Sequence, residues 1–286
     1  MRLRLEKSEN RAGLLFAAPS LAGFSIFYII PFIFIIYYSL IDNPASHQFV
    51  GLANYFALLS NPIFLKAGFN TIVFTIIGVP LIMILSLGLA LLLNRSMVGR
   101  DYFRAAFILP LIVPVASVVL VWQVVFNFHG SLNSVVVLLG LNPVNWMNTS
   151  WARVIVTLFY LWKNAGYNMI LFLAALQNIP RELYEAAYID GAGSWQRLVN
   201  ITLVHLIPTG FFVFIISVIN SFKVFREVYL ISGDYPHESI YMLQQYMNNM
   251  FMALDYQKLS TAAVITAALI IGIVYAFFKL DRNFRR

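Results

Sequence analysis

The sequence predicts an all-α integral membrane protein with six transmembrane helices. Composition is the first reason. Of 286 residues, 60% are hydrophobic and only 11% charged, with a mean hydropathy of +0.79. A soluble chain carries about 25% charged residues to coat its surface. The second reason is recurrence. Runs long enough to cross a bilayer as helix, about 20 mostly apolar residues, occur at 13–41, 71–93, 103–128, 154–176, 208–231 and 259–279. The same figures exclude disorder, because the chain is too apolar and too weakly charged. There is no cysteine, which excludes a disulfide-stapled secreted fold, thiolate metal sites and cysteine nucleophiles.

The first run follows Arg2, Arg4, Lys7 and Arg11 and contains Pro19 and Pro31. A signal-peptide core is about 7–15 residues. This run is about twice that, so it reads as a long, kinked or tilted anchor. The fourth and fifth runs carry polar residues and are less secure by hydropathy alone. The joint between the second and third runs is short; the first, third and fifth joints are longer. The third joint holds Gly130, Gly140 and Pro143 around an apolar stretch at 135–141, too short to span and expected in the interface. No internal repeat is visible. The organisation is a 1–12 terminus, a single membrane domain at 13–279 with a 177–207 loop inside it, and a 280–286 terminus.

Orientation follows from the basic residues, since cytoplasmic joints carry the excess of Lys and Arg. On one side lie Arg2, Arg4, Lys7 and Arg11, then Arg95, Arg100 and Arg104, then Arg181 and Arg197, then Lys279, Arg282, Arg285 and Arg286. The other side holds Lys66, Arg153 and Lys258. Both termini and the 177–207 loop are therefore expected in the cytoplasm. The net charge of +7 is topology rather than a nucleic-acid footprint.

The 177–207 loop is the informative joint. Pro180 is placed to open a helix, where its missing N–H costs nothing. Glu182 and Glu185 come next in the first turns, where the helix dipole favours acids. Ala186 and Ala187 form a small face that another surface can approach closely. Asp190-Gly191 ends the helix, with Gly191 free to take positive φ. Ser194 is expected to N-cap a second short helix set at an angle to the first.

Glu185-Ala186-Ala187, then Gly191, then Ile201-x-Leu203, resembles the EAA loop of binding-protein-dependent ATP-binding-cassette importers. The family's usual proline after the leucine is Val204 here, with Pro208 four residues on. The resemblance covers nearly the whole chain and is nearest to maltose-type sugar permeases, the first of the two permeases in such systems. It is carried by Leu15-Phe-Ala-Ala-Pro19, Tyr28-Ile-Ile-Pro31, Phe49-Val-Gly-Leu-Ala-Asn-Tyr55, Asn70-Thr71, Leu109-Pro110, Pro114, Trp122, Gly130-Ser-Leu-Asn133 and Phe172-Leu-Ala-Ala-Leu-Gln177. It implies an inner-membrane permease subunit for a sugar or oligosaccharide, working by alternating access. Its implied partners are a second permease in a heterodimer, two ATPase subunits that hold ATP and Mg, and an extracytoplasmic solute-binding protein. The implied ATPase-coupling residues are Glu182, Glu185, Ala186, Ala187, Asp190 and Gly191. No cofactor is expected on this chain.

Ionisable groups in hydrocarbon cost about 2.5–3.5 kcal/mol each on insertion scales, so those inside the runs need a reason. By helix rise, Lys163 lies about 14 Å and Lys223 about 12 Å from the same membrane face, and Arg226 about 7 Å. At about 100° per residue, Ser217, Asn220, Lys223, Arg226 and Glu227 fan across about half of the fifth run, a polar half-cylinder suited to a water-lined path. Two readings stand. In one, Lys223 pairs with Glu227 at i,i+4 and Arg226 snorkels, all as packing. In the other, Lys163, Asn164, Tyr167, Asn168, Asn220, Lys223, Arg226 and Glu227 belong to the solute path, with Tyr160 and Trp162 as stacking surfaces. The family often has Phe-Asp where this chain has Phe225-Arg226, and Gly-Gly-Gly-Pro where it has Gly233-Asp-Tyr-Pro236. Three cations against one acid suggest an acidic sugar such as a uronate.

The sequence has no Gly-x-x-x-x-Gly-Lys-Ser/Thr loop for ATP phosphates and no Gly-x-Ser-x-Gly elbow. His47, His129, His205 and His237 lack metal-ligand spacing. A self-sufficient secondary carrier is the alternative; it would show an inverted repeat. A membrane enzyme would need a catalytic constellation, and none is present in the sequence.

Overall fold

A computed structural model of the chain describes residues 16–284, with side chains to Lys279. The 1–12 terminus lies outside the described residues, and of 280–286 only helix backbone to Phe284 is described. Among the described residues the regular structure is helical, apart from one isolated bridge, Ile41–Phe49. The described residues divide into two compact units, one of 16–61 with 247–269 and one of 62–246 with 270–284.

In the first unit, α1 (Phe16–Ser39) has one π-helical segment, Ser25–Ile29. Its end is tied to α2 (Ala53–Leu59) by two side chains of the Phe49–Tyr55 segment. The Asn54 amide donates to the Ser39 carbonyl at 3.0 Å and the Ile41 carbonyl at 2.8 Å, and the Tyr55 hydroxyl meets Ser39 Oγ at 2.7 Å. The 247–269 part carries the end of α11 (Leu243–Met252) and the start of α12 (Tyr256–Phe284).

The second unit contains α3 (Pro62–Leu93), α4 (Arg100–Ile112), α5 (Val115–Phe126), α6 (Ser131–Leu138) and α7 (Trp151–Gln177). It continues through α8 (Arg181–Ile189), α9 (Val204–Phe222) and α10 (Phe225–Ser232). Among the described residues, five helical stretches are long and apolar enough to cross a membrane by length and composition: Phe16–Ser39, Pro62–Leu93, Val115–Leu138, Ser194–Ser232 and Tyr256–Lys279. The predicted fourth span falls in α7, whose 27 residues reach about 40 Å at 1.5 Å each. It is too polar to join those five by hydropathy. The physical reason is its position: α3, α4 and α9 pack around it, so much of its surface meets protein instead of lipid.

Two predicted spans are interrupted. The 103–128 run is two helices. Val113 and Pro114 are extended, with ψ of 134° and 132°, because the ring of Pro114 pushes the residue before it out of the α region. The 208–231 run turns at Lys223 and Val224 between α9 and α10. At its other end, the short second helix of the loop (Ser194–Arg197) is not separate. It passes through a π segment, Leu198–Leu203, directly into α9.

Close packing against α7 depends on Gly166. A Cβ there would sit 1.8 Å from the Phe107 carbonyl oxygen of α4; glycine lets the two backbones meet. On the α3 side, the Phe74 and Tyr160 rings meet edge to face at 5.4 Å. Further along, Leu93, Met169, Phe172, Leu176, Leu206 and Val213 form a buried cluster shared by α3, α7 and α9.

The segment after α10 is held by Asn70, whose amide donates to the carbonyls of Glu238 at 2.7 Å and Tyr241 at 2.9 Å. Arg153 Nη2 donates to Asn70 Oδ1 at 3.0 Å, and the Leu243 N–H donates to Thr71 Oγ1 at 3.0 Å. The Asn70-Thr71 pair is thus a buried clamp on a segment 168 to 172 positions away in sequence.

Candidate functional site

Two groups of residues are brought together where the sequence placed function. The first is α8. Pro180 stands just before it as an extended cap residue, with ψ 133°, and Glu182 lies in its first turn. Gly191 takes φ +77°. The Gly191 N–H donates to the Tyr188 carbonyl at 3.1 Å and the Ala192 N–H to the Ala187 carbonyl at 2.8 Å. This pair of hydrogen bonds is the Schellman closure, which satisfies the last carbonyls of the helix. Ser194 does not cap the next helix. Gly193 is the cap residue, and its N–H donates to Gln196 Oε1 at 2.8 Å. The glutamine side chain reaches back to the donor, and the serine becomes the first helical residue.

No residue of α8 is buried. Glu182, Glu185, Ala186, Asp190 and Gly191 are exposed, and Ala187 is half-buried. The helix is fixed to the molecule by Tyr184, whose hydroxyl meets Thr202 Oγ1 at 2.9 Å. Sequence reasoning missed the apolar side chains that crown this segment. Tyr188, Ile189 and Trp195 are 71%, 84% and 73% exposed, and the Arg197 guanidinium lies 5.7 Å from the Tyr188 ring centre. Their signal was present, as large apolar residues inside an otherwise polar joint.

The second group is the polar layer between α7, α9 and α10. Asn168 Nδ2 donates to Ser217 Oγ at 2.8 Å, and the Tyr160 hydroxyl donates to the Ser217 carbonyl at 2.8 Å. Asn220 Nδ2 donates to Asn164 Oδ1 at 3.3 Å. Thr75 Oγ1 and Ser221 Oγ meet at 2.9 Å. Where lipid offers no hydrophobic drive between helices, such bonds contribute about 0.6–2 kcal/mol each.

The i,i+4 pair of Lys223 with Glu227 does not form. Glu227 is bound by Lys163 Nζ of α7, because the turn at Lys223 and Val224 breaks the helix phase on which the i,i+4 pair depended. The continuous polar half-cylinder is lost for the same reason. Glu227, Asn164 and Asn168 are buried, Lys163 and Asn220 are half-buried, and Tyr167, Lys223 and Arg226 are exposed. Of the two aromatics expected to stack on sugar, Tyr160 is 1% exposed within the core, while Trp162 is 44% exposed. Trp162 belongs to an aromatic cluster with Trp122 and Phe159, at ring separations of 6.0 and 6.1 Å. Among the described residues no group of His, Cys, Asp and Glu could hold a metal ion.

The family described as "Binding-protein-dependent transport system inner membrane component" matches residues 78–285. The chain is 32% identical over 99% of its length to the trehalose/maltose transport system permease protein MalF of Thermococcus litoralis, covering 97% of that protein. It is 35% identical over 97% of its length to the arabinooligosaccharides transport system permease protein AraP of Bacillus subtilis, covering 91% of it. In structure it is similar to a bacterial ABC transporter involved in import of the acidic polysaccharide alginate, with a TM-score of 0.85, 24% identity, and 99% and 100% of the two chains covered. A second structure of a bacterial alginate ABC transporter, in complex with an alginate pentasaccharide-bound periplasmic protein, gives 0.84, 25% identity and 98% of each chain. The match over residues 78–285 and the near full-length identity to sugar permeases place this multi-pass helical chain in one family, and it belongs to the inner-membrane permease components of binding-protein-dependent ATP-binding-cassette transport systems.

Proposed function

We propose that this chain is one of two membrane-spanning subunits of an ATP-driven importer that takes up a sugar or oligosaccharide by alternating access. Six spans carry it, with α7 as the fourth, and α8 faces the cytoplasm. A separate ATPase subunit grips α8 and moves it; the chain itself holds no ATP. A solute-binding protein delivers the sugar to the opposite face. The relatives named as trehalose/maltose and arabinooligosaccharide permeases support the solute class.

The observation that carries this reading is the exposure of α8. A helix closed at its C-terminus by Gly191 and anchored by Tyr184 displays Tyr188 and Ile189 to solvent, outside the candidate spans. Exposed apolar clusters rimmed by polar residues mark interaction surfaces. Co-purification tests it: the assembled transporter retains its ATPase subunit, and Glu185→Lys or Gly191→Pro releases it. Labelling of residues 182–200 by a membrane-impermeant reagent applied outside intact cells would overturn the reading.

One observation favours an acidic solute as a finer reading. Lys163 spends its charge on Glu227, but Lys223 and Arg226 are exposed and make no ion pair among the described residues. They would meet a carboxylate on the sugar.

A further inference from the structure

A cleft of about 580 Å³ lies where the end of α5 meets the 145–148 loop and the end of α10. Its volume falls in the range of small-molecule sites, about 300–1,000 Å³. Of its lining, only Trp122 stood out in the sequence, as a family marker.

One wall is aromatic: the Trp122 and Phe126 rings stack at 5.0 Å with 24° between planes. The rest is rich in uncharged hydrogen-bonding groups. Gln123 Nε2 donates to the Leu230 carbonyl at 3.1 Å, and its Oε1 takes no bond among the described residues. The side-chain amides of Asn145 and Asn148 are exposed and bond to no described residue. Ser232 Oγ is buried and has no hydrogen-bond partner among the described residues. No Asp, Glu, Lys, Arg or His lines the cleft.

These groups sort the ligand classes. A purely apolar ligand would bury the amides and the serine without partners, at about 1–3 kcal/mol each. An anion would find no cation. A sugar ring meets both halves of the lining. Its C–H face lies on an aromatic plane, and neighbouring hydroxyls use the donor and acceptor of one amide together. The cleft borders α7, since Trp122 touches Trp162.

We infer that this cleft is a carbohydrate subsite that holds a neutral glycosyl unit at the mouth of the solute route, through the Trp122 and Phe126 wall and the Asn145 and Asn148 amides. The inference rests on the sugar-import reading and adds the place and the charge of the ring held.

The chain contains no cysteine, so a single Asn127→Cys substitution, exposed on the cleft lining and outside the proposed binding groups, gives it one labelling site; Phe128→Cys is the second variant should the first not assemble. Leu141→Cys, exposed and outside the cleft, is the control. The assembled transporter in lipid nanodiscs is treated with a maleimide, with and without maltotriose, arabinotriose or trigalacturonate, and labelling of this chain is timed. Protection grows as 1 + [L]/Kd, so a neutral trisaccharide at several times Kd slows labelling in the cleft about fivefold and leaves position 141 unchanged. No slowing by either neutral sugar, or slowing by trigalacturonate alone, overturns the inference. Import is measured in parallel. Neutral-sugar import without protection removes the subsite and leaves the importer reading in place. Protection with no import of any sugar by the energised complex removes the importer reading instead.

Discussion

Lys163 on α7 and Glu227 on α10, 64 positions apart, form an ion pair in the interior of the second unit. The Glu227 side chain is 6% exposed and that of Lys163 20%. Removing one partner of such a pair leaves a buried charge uncompensated, at about 3–5 kcal/mol, whereas replacing both is often close to neutral. Glu227→Gln and Lys163→Met should each shorten the half-life of the folded protein on heating in detergent. The double variant Lys163→Met, Glu227→Gln should recover most of that loss. A double-mutant cycle with additive losses would mean that the two charges do not act as a pair.

Gly166 faces the backbone of α4, not a side chain, and this decides how the fold responds to substitution there. A Cβ would lie 1.8 Å from the Phe107 oxygen and 2.3 Å from its carbonyl carbon. Neither atom can rotate away, so Gly166→Ala has to push α4 off α7. The cost should match overpacking, about 1–3 kcal/mol, seen as a lower yield of folded protein and faster proteolysis between 100 and 112. Gly88 has open space around its Cβ position, and Gly88→Ala should leave both measurements unchanged.

The helices were legible because lipid makes apolar runs long and easy to see. Helix breaks were not equally legible. Pro114 announced the one after Val113, but a hydropathy window averages across it. The turn at Lys223 and Val224 has neither glycine nor proline, so nothing local marked it, and the i,i+4 partner of Glu227 was drawn on a helix that is not continuous. The Gly191 closure was legible because positive φ restricts the residue type. The cap at Gly193 was not, because Ser194 is the stronger local signal and Gln196 acts from three residues away. The exposed Tyr188, Ile189 and Trp195 escaped notice because apolar residues in such a chain are assigned by default to lipid or core.

Asn70 and Glu238 hold the same segment with different weight, and pH separates them. The hydrogen bond from Lys66, reinforced by its charge, keeps the Glu238 carboxyl below the ordinary carboxylate value of 4.5. A lowered folded pKa contributes stability above the unfolded value and loses it as pH falls through the folded one. Both side chains are exposed, at 49% and 73%, so solvent screening keeps the contribution small. Glu238→Gln should therefore raise hydrogen exchange in 233–242 only slightly at pH 7 and not at all below the folded pKa, where the wild-type carboxyl is protonated too. Asn70→Leu leaves Arg153 Nη2 and two carbonyls without their partner. It should open the segment strongly at every pH, after correction for intrinsic exchange.

The acidic-solute proposal rests on Lys223 and Arg226, the side chains that would meet a sugar carboxylate. With Lys163 paired, they are the cations of the fifth predicted span that remain exposed without an ion pair among the described residues. A charge-assisted bond to a sugar carboxylate contributes about 1.5–3 kcal/mol. Replacing both in Lys223→Met, Arg226→Met should raise KM for a uronate oligosaccharide by about 10- to 100-fold and leave neutral-sugar import unchanged. The competing account is that both side chains run along the helix to place their charges at the membrane interface. In that case the variant imports acidic and neutral sugars as the wild type does, and the acidic-solute reading falls. A variant that loses both activities equally points to damage at the α9–α10 turn, which circular dichroism and ATPase co-purification would register independently of transport. The decisive readout is therefore the ratio of the two KM changes in the same membranes, since a folding defect moves both together and a lost carboxylate contact moves one.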